Sequence, residues 1–133
     1  MSGYSGTPLS RKLGFKPGMR AHVHAPPPDL GELLGDLDGV TLLKRPAAPL
    51  DLVLLFVTER HELARRLATL QGRLAPAGML WVCWPKRASG VPTDITEDVV
   101  REVALPRGLV DTKVAAIDAT WSGLRLVTRR ERR

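Results

Sequence analysis

The run Leu50–Val57 constrains the fold more than any other part of the sequence, because it is apolar throughout except for Asp51. Successive side chains of a β-strand point to opposite faces of its sheet, so a strand of this composition must be covered on both faces. Such strands are typical of parallel sheets that are packed between helices. Met79–Trp84 has the same apolar character. The two segments therefore predict the central strands of an α/β domain.

Four further segments are predicted to be strands. They are Met19–Ala25, Val40–Lys44, Val110–Ile117 and Leu124–Thr128. The loop Asp118–Gly123 is too short for a parallel crossover, which needs about a dozen residues or more, so the last two strands should form an antiparallel hairpin. The sequence thus predicts a three-layer α/β fold, with a truncated Rossmann-like, mostly parallel sheet of about six strands that ends in this hairpin.

Apolar residues at helical spacing predict three helices between these strands. Their apolar stripes are Leu30, Leu33, Leu34 and Leu37; Leu63, Leu67, Leu70 and Leu74; and Ile95, Val99, Val100 and Val103. Thr58 is predicted to N-cap the middle helix, which Pro76 and Gly78 would end. Asp94 and Glu97 stand at capping-box spacing at the start of the third helix.

The chain is predicted to be a single domain over residues 1–133, because no segment has the composition of a linker. Residues 1–18 are predicted to be an N-terminal arm with a short helix. In that helix Thr7 is the expected N-cap, Pro8 suits the first helical position and Gly14 supplies a left-handed stop.

Composition and charge indicate a cytoplasmic protein. Cys83 is the one cysteine, so no disulfide can form within the chain. The N-terminus does not resemble a signal peptide, and the apolar stretch Leu52–Val57 is far too short to cross a bilayer. The net charge is +6, and residues 129–133 form a basic tail of four arginines and one glutamate.

From Leu50 onward the sequence resembles the C-terminal half of class I methyltransferases. The likeness lies in Leu50–Phe56, in Leu74–Val82 and in the terminal hairpin. In that family the final strand inserts between its neighbours and runs against them. The resemblance therefore implies the sheet order 2-1-3-4-6-5, with strand six as the reversed strand.

The whole chain also resembles a small uncharacterised bacterial family, a domain of unknown function. The segments that carry this likeness are Tyr4–Leu9, Lys12–Gly14, the strand end Trp84-Pro85-Lys86 and Thr120–Leu124, which contains Trp121. This resemblance covers nearly the entire sequence, and it implies no known activity.

The loop after the first strand argues against a nucleotide or S-adenosylmethionine site. Such a loop needs glycines, so that backbone N–H groups can approach the ligand. Ala25–Pro28 is instead a stiff, glycine-free bend, and proline has no N–H to donate. The second strand ends in Lys44 and Arg45 where an acid would hold ribose hydroxyls. Two basic residues there would suit a 2′-phosphate, but the glycine loop that such a cofactor needs is missing. We therefore expect that S-adenosylmethionine does not bind and that the domain has no cofactor.

Isolated reactive side chains are interpreted as structural. His22 and His24 alternate on one strand and so point to one face, but no cluster of cysteine or acidic residues accompanies them, and no metal site is predicted. Cys83 is expected to be a buried apolar residue with a high thiol pKa. Asp51 stands at the amino end of its strand, which is the wrong edge for a ligand.

The loop from Trp84 to Thr93 is the candidate ligand site. It leaves the carboxyl end of a central strand and enters a helix N-terminus, where N–H groups and the helix dipole attract anions. The candidate ligand-binding residues are Trp84, Lys86, Arg87, Ser89, Gly90, Thr93 and Trp121. Asp94 competes for the same N–H donors if it caps that helix.

The leading hypothesis is a non-enzymatic module that binds a small anion or another protein, on a degenerate methyltransferase-like scaffold. One alternative is a transferase-like enzyme with a divergent cofactor site. Another is weak nucleic-acid association through the tail 129–133, although specific nucleic-acid binding is not expected because no aromatic residues are interleaved with its basic residues. The sequence leaves the ligand, the partner, any residual catalysis and the oligomeric state open.

Overall fold

The computed structural model describes residues 7–133, so residues 4–6 of the predicted family segment Tyr4–Leu9 lie outside the described residues. The strands are β1 (Arg20–His24), β2 (Thr41–Leu43), β3 (Leu50–Phe56), β4 (Leu74–Pro85), β5 (Leu109–Ala116) and β6 (Trp121–Thr128). The helices are α1 (Leu9–Leu13), α2 (Leu30–Leu34), α3 (Arg60–Gln71) and α4 (Glu97–Ala104). Short 3₁₀ turns cover Arg87–Ser89, Leu105–Arg107 and Arg130–Arg132.

The six strands form one sheet in the order β2-β1-β3-β4-β6-β5. The pairs β1–β2, β1–β3 and β3–β4 are parallel. β6 lies between β4 and β5 and is antiparallel to both. The predicted fold class, strand order and reversal of the sixth strand are therefore confirmed.

Alternating side chains of the two central strands face two separate cores. On one face, Val53 and Leu55 of β3 and Val82 of β4 belong to the core that α3 and α4 cover. On the other face, Leu54 of β3 and Trp81 of β4 belong to the core that α1 and α2 cover. The helices thus form a layer on each side of the sheet, as the three-layer prediction requires.

A buried hydrogen bond fixes the N-terminal arm to the sheet. The indole Nε1 of Trp81 donates to the carbonyl of Leu13 at 2.8 Å. Gly14 ends α1 with a φ of 100°, so the predicted left-handed stop is confirmed. Pro8, rather than Thr7, occupies the N-cap position, because its carbonyl accepts the first two amide hydrogen bonds of the helix.

The connection from β2 to β3 is shorter than parallel strands usually need, since it consists of residues 44–49 alone. β2 is only three residues long, so the chain needs few residues to return from its carboxyl end to the amino end of β3. Arg20 donates to two carbonyls of this loop at 2.8 and 3.0 Å, and Arg73 donates to a third at 3.0 Å. Asp51 has a structural role nearby, because its carboxylate accepts the N–H of Arg20 at 2.9 Å.

The predicted caps of α3 and α4 are wrong. Glu59, not Thr58, precedes α3, and it contributes no side-chain cap. The first amide of that helix, at Arg60, donates to the carboxylate of Asp94 at 2.6 Å. Asp94 therefore serves α3 rather than α4. Thr96 caps α4, because its Oγ1 accepts an amide of the first turn at 3.2 Å.

The predicted end of α3 is also wrong, because the chain enters β4 earlier than helical spacing suggested. Leu74 is the first residue of β4 and pairs with Leu50. The register then shifts, so residues 75–78 form a bulge. Pro76 lies within this bulge, where its missing N–H breaks no regular hydrogen bond between β3 and β4. Gly78 lets the backbone of β4 approach that of β3 closely, since a Cβ at this position would lie 2.6 Å from the carbonyl oxygen of Leu50.

Two smaller boundaries also differ from the predictions. α2 ends at Leu34, before Leu37, because Gly35 has a φ of 68° and breaks the helical path. β6 begins at Trp121 rather than Leu124, since the N–H of Ile117 donates to the Trp121 carbonyl at 2.9 Å. The final hairpin is therefore tighter than the sequence suggested.

Candidate functional site

The carboxyl ends of β1 to β4 meet at one edge of the sheet, which is where open α/β sheets bind their ligands. The predicted site is the loop that connects β4 to α4 at this edge. Lys86 fastens the start of that loop to the final hairpin. Its N–H donates to the Thr120 carbonyl at 2.7 Å, and its Nζ donates to the Asp118 carbonyl at 2.7 Å. The ammonium group is thus engaged by the protein itself.

Ser89 shapes the next turn of the loop. Its hydroxyl donates to the Lys86 carbonyl at 2.6 Å and accepts the N–H of Val91 at 3.2 Å. Gly90 follows with a φ of 77°, a conformation that favours glycine. The predicted serine and glycine therefore define the backbone path of the loop.

Thr93 joins the loop to the end of β3. Its hydroxyl donates to the Thr58 carbonyl at 2.6 Å and accepts the N–H of Ile95 at 3.1 Å. Both hydrogen-bonding functions of this hydroxyl are used within the protein.

A cleft of about 360 Å³ lies beneath this loop, and we call it the loop cleft. Its lining consists of Trp84, Pro85, Arg87, Gly90, Val91, Pro92, Thr93, Ile95, Thr96 and Glu97. Of the seven predicted ligand-binding residues, it brings together Trp84, Arg87, Gly90 and Thr93. Lys86 and Ser89 do not line it.

The two predicted tryptophans lie on opposite faces of the sheet. Trp84 is 6% exposed and belongs to the core beneath α3 and α4. Trp121, the register partner of Pro85, packs on the other core with its ring edge against Phe56, at a centroid distance of 5.2 Å. The two rings therefore do not converge on one ligand.

The loop cleft carries both signs of charge. Arg87 is exposed, and its side chain forms no hydrogen bond or ion pair within residues 7–133. Glu97 lines the same cleft and binds Arg101, whose pKa is raised by Glu97 and by Asp111. Glu97 and Asp98 also occupy the first turn of α4, where an anion would otherwise meet the positive end of the helix dipole.

The loop after β1 does not fit S-adenosylmethionine or a dinucleotide. Pro26, Pro27 and Pro28 provide no N–H groups, and the amide of Leu30 donates to the Pro27 carbonyl at 3.1 Å. Ala25 has a φ of 52°, which a glycine would adopt with less strain. The backbone donors that would cradle a cofactor are therefore missing from this bend.

A second cavity lies beside β1, and it was not predicted from the sequence. Its volume is about 190 Å³, and its lining consists of His22, His24, Lys44, Arg45, Pro46, Arg66, Thr69 and Leu70. We call it the basic cavity. The helix-free connection from β2 to β3 leaves this side of β1 bordered by α3 and by residues 44–46.

The signal for the basic cavity was present in the sequence but divided among three segments. His22 pairs with Leu43 across the parallel strands β1 and β2, so Lys44, the residue after Leu43, lies close to His22 and His24. Arg66 reaches the cavity from α3, where helical spacing indicated only a surface position. The register of β2 against β1 was needed to join these residues.

His22 is the buried polar residue of the basic cavity, with 6% of its surface exposed. Its Nδ1 lies 2.8 Å from the Leu43 carbonyl oxygen. A carbonyl only accepts hydrogen bonds, so Nδ1 carries the ring proton and Nε2 is the remaining ring nitrogen. The tautomer of His22 is thereby fixed.

His24 is half-buried, and burial lowers its pKa from the usual value, with the Arg66 charge as the second cause and His22 as the third. Arg66 donates from Nε to Glu62 at 2.9 Å, and Arg65 donates to the other oxygen of that carboxylate at 2.6 Å. These two arginines lower the pKa of Glu62 to about 2. Lys44 and Arg45 are exposed, and neither side chain has a hydrogen bond or ion pair among the described residues.

Other kinds of site find little support in the part of the chain that the structure describes. No group of three or more His, Cys, Asp and Glu side chains is arranged to hold a metal ion there. No described helix has both the length and the apolar composition to cross a membrane. Cys83 is buried and burial raises its pKa, as predicted.

The basic tail folds back onto the domain. Arg132 donates to the Arg107 carbonyl at 3.3 Å, and Arg133 donates to the Thr128 carbonyl at 2.9 Å. Both arginines line a cavity of about 470 Å³ at the amino end of β4, on the edge opposite the predicted site.

Comparison with solved structures identifies the fold. A SAM-dependent methyltransferase from Aquifex aeolicus superposes with a TM-score of 0.62 and 18% identity, over 87% of this chain and 85% of that one. A putative methyltransferase from Thermoplasma acidophilum gives a TM-score of 0.58 and 10% identity, over 98% and 77%. Magnesium protoporphyrin IX methyltransferase from Synechocystis, with bound SAM, gives 0.59 and 9%, over 90% and 74%. At these identities the likeness concerns the fold alone.

Comparison of sequences identifies the family. No functionally curated protein matches the chain. Residues 28–130 match the family described as a protein of unknown function, DUF3052. The chain therefore belongs to the DUF3052 family, and it has a truncated methyltransferase-like fold.

Proposed function

We propose that this protein is a non-enzymatic domain that binds a small anion and does not use S-adenosylmethionine. The observation that carries the proposal is the exchange of groups at the carboxyl ends of β1 and β2. Prolines stand where the methyltransferase pattern needs glycine amides, and the cations Lys44 and Arg45 stand where it needs an acid. This edge of the sheet is suited to a negatively charged ligand.

The loss of backbone donors supports the first half of the proposal. A cofactor loop works because several N–H groups point at the ligand together. The bend at Pro26–Pro28 contributes none, and no side chain can restore the close approach that glycine allows.

The state of the cations supports the second half. Lys44 and Arg45 have no carboxylate partner within residues 7–133, so their charges remain available to a ligand. Ion pairs at the protein surface usually contribute about 1 kcal/mol or less, so useful affinity requires several cations at one place. The cluster around β1 provides this convergence.

The loop cleft is a second candidate location for the anion. Its support is Arg87, an exposed cation that has no partner among the described residues and lies next to a helix N-terminus. Glu97 in the same lining opposes an anion, so we place the loop cleft after the basic cavity.

A thermal-shift screen tests the proposal. Inorganic phosphate and phosphorylated metabolites should raise Tm, since a ligand at about 100 times its Kd stabilises the folded state by roughly 2.7 kcal/mol. S-adenosylmethionine should leave Tm unchanged, and isothermal titration should detect no binding of it. Dissociation of S-adenosylmethionine in the low micromolar range would instead support the alternative, a transferase-like enzyme with a rebuilt cofactor site.

A further inference from the structure

We infer that the basic cavity binds the phosphate group of a small phosphomonoester and takes up a proton on His24 as it does so. This inference rests on the proposed anion binding, because it assigns that binding a place, a ligand class and a dependence on pH. The inference has three supports, which are the charges around the cavity, the hydrogen-bonding roles of its imidazoles and its size.

The charges of the lining come from three separate elements. Lys44 and Arg45 reach the cavity from the connection after β2, and Arg66 reaches it from α3. Arg66 uses its Nε for Glu62, which leaves the other guanidinium nitrogens without a bond to any described residue. A bound oxyanion would therefore meet cations from two sides, and Glu62, the carboxylate beside Arg66, is already held by two arginines.

The buried His22 is best suited to a ligand oxygen that carries a proton. Its Nδ1–H is committed to the Leu43 carbonyl, so only Nε2 can serve a ligand. Nε2 of a neutral ring is an acceptor, and a fully deprotonated oxyanion also offers only acceptors. The two can share a hydrogen bond only when the bound oxyanion itself carries a proton, as the monoanion of a phosphomonoester does.

His24 lines the same cavity, and it is the imidazole whose charge we expect a bound anion to change. Burial and the positive charge of Arg66 keep its pKa below the usual value in the free protein. The charged groups that face it are Arg65, Arg66 and Glu62 of α3, His22 of β1, and Lys44 and Arg45 of the β2–β3 connection. A bound dianion would offset the cations of this set, so the pKa of His24 would rise and a proton would be taken up.

The size of the cavity limits the ligand. About 190 Å³ corresponds to roughly six water molecules at about 30 Å³ each. This space holds a phosphate group with a short carrier, and it is too small to enclose a nucleotide. Pro46 and Leu70 provide an apolar part of the lining for the carrier.

Isothermal titration with sulfate and inorganic phosphate tests the inference. Sulfate remains a dianion across the range of about pH 5.5–7.5 in which histidine titrates, so any pH dependence of its binding arises from the protein. Sulfate affinity should rise several-fold as pH falls by one unit, with about tenfold as the limit for one proton. In parallel, NMR titration of the histidine rings should show that sulfate raises the pKa of His24.

Variants separate the site from the proton uptake. The double change Lys44→Ala/Arg45→Ala should weaken sulfate binding at least tenfold, whereas Arg11→Ala/Lys16→Ala removes the same charge from an exposed region elsewhere and should leave binding within twofold. His24→Asn cannot take up the proton, so its sulfate affinity should change little with pH and should fall below that of wild type at about pH 5.5. Circular dichroism checks that each variant is folded.

Each outcome has one meaning. The absence of sulfate and phosphate binding at every pH would overturn the proposed function together with this inference. Binding that the Lys44/Arg45 pair does not affect would overturn the site and leave anion binding intact. Binding at this site without pH dependence would overturn the proton uptake alone.

Discussion

The loop from β4 to α4 and the basic cavity lie at the same edge of the sheet and differ in how most of their polar side chains are used. In the loop, the functional groups of Lys86, Ser89 and Thr93 all bind backbone carbonyls of the protein. In the basic cavity, Lys44 and Arg45 have no partner among the described residues. Polar residues of the first kind hold a loop in shape, whereas those of the second kind remain available to a ligand.

The contrast follows from how each region is built. The turn Arg87–Ser89 between β4 and α4 contains no buried residue, so side-chain hydrogen bonds help to fix its path. The basic cavity is bordered instead by a strand, a helix and a loop that Arg20 and Arg73 hold through carbonyls. Its walls are set by these elements, so Lys44 and Arg45 need no structural role.

Removal of the Thr93 hydroxyl should have the largest effect on stability. Thr93→Val leaves the Thr58 carbonyl and the Ile95 amide without their partner, and we expect a loss of about 1–3 kcal/mol in the free energy of unfolding. Urea denaturation measures this change. Thr69→Val, at an exposed hydroxyl whose bond to Arg65 is 3.5 Å long, serves as the control and should cost much less.

The effect of removing cations on anion affinity should differ between the basic cavity and the loop cleft. Lys44→Ala/Arg45→Ala is expected to reduce phosphate affinity at least tenfold, equivalent to about 1.4 kcal/mol or more, while unfolding stability stays within about 0.5 kcal/mol. Arg87→Ala should reduce affinity less than twofold. If Arg87→Ala has the greater effect in isothermal titration, the anion site belongs to the loop cleft.

Asp94 tests whether the loop stabilises α3. Asp94→Ala removes the acceptor for the first amide of that helix and should destabilise the protein by about 0.5–2 kcal/mol in urea denaturation. Asp98→Ala removes an equal charge from an exposed position on α4 and is the matched control. Equal losses for the two variants would contradict a capping role for Asp94.

His24 should produce the smallest effect, which is a dependence of stability on pH. Because its pKa is lowered in the folded state, the unfolded chain takes up the proton at a higher pH. The His24 contribution to the free energy of unfolding should therefore fall as pH drops from the usual histidine pKa of about 6.5 to the lower folded value. Urea midpoints of wild type and His24→Asn should diverge on acidification, and curves that stay parallel would rule the effect out.

Much of the fold could be predicted because its signals are local. The apolar run at Leu50–Val57 and the short hairpin loop limit the sheet to few arrangements, and the methyltransferase resemblance implied its order. The errors arose where tertiary contacts override local patterns. Asp94 stands at capping-box spacing from Glu97 but caps a helix that is distant in sequence. Leu74 continues a helical stripe, yet pairing with Leu50 places it in β4.

The candidate site was less predictable because a loop sequence does not show where its polar groups are satisfied. Lys86 and Ser89 have the residue types of an anion site, and only the fold reveals that the Asp118 carbonyl and the loop backbone engage them. The reverse holds for the basic cavity. Its histidines were interpreted as structural, and Arg66 joins them only because the fold places α3 beside the carboxyl end of β1.

Mapping of phosphate binding by backbone-amide NMR tests most directly the claim that this domain binds anions at the basic cavity. On addition of inorganic phosphate, the largest shifts should fall in residues 22–24, 44–46 and 66–70. Addition of S-adenosylmethionine should produce no comparable shifts. Phosphate shifts concentrated in residues 86–97, or cofactor-induced shifts around residues 25–28, would contradict the claim.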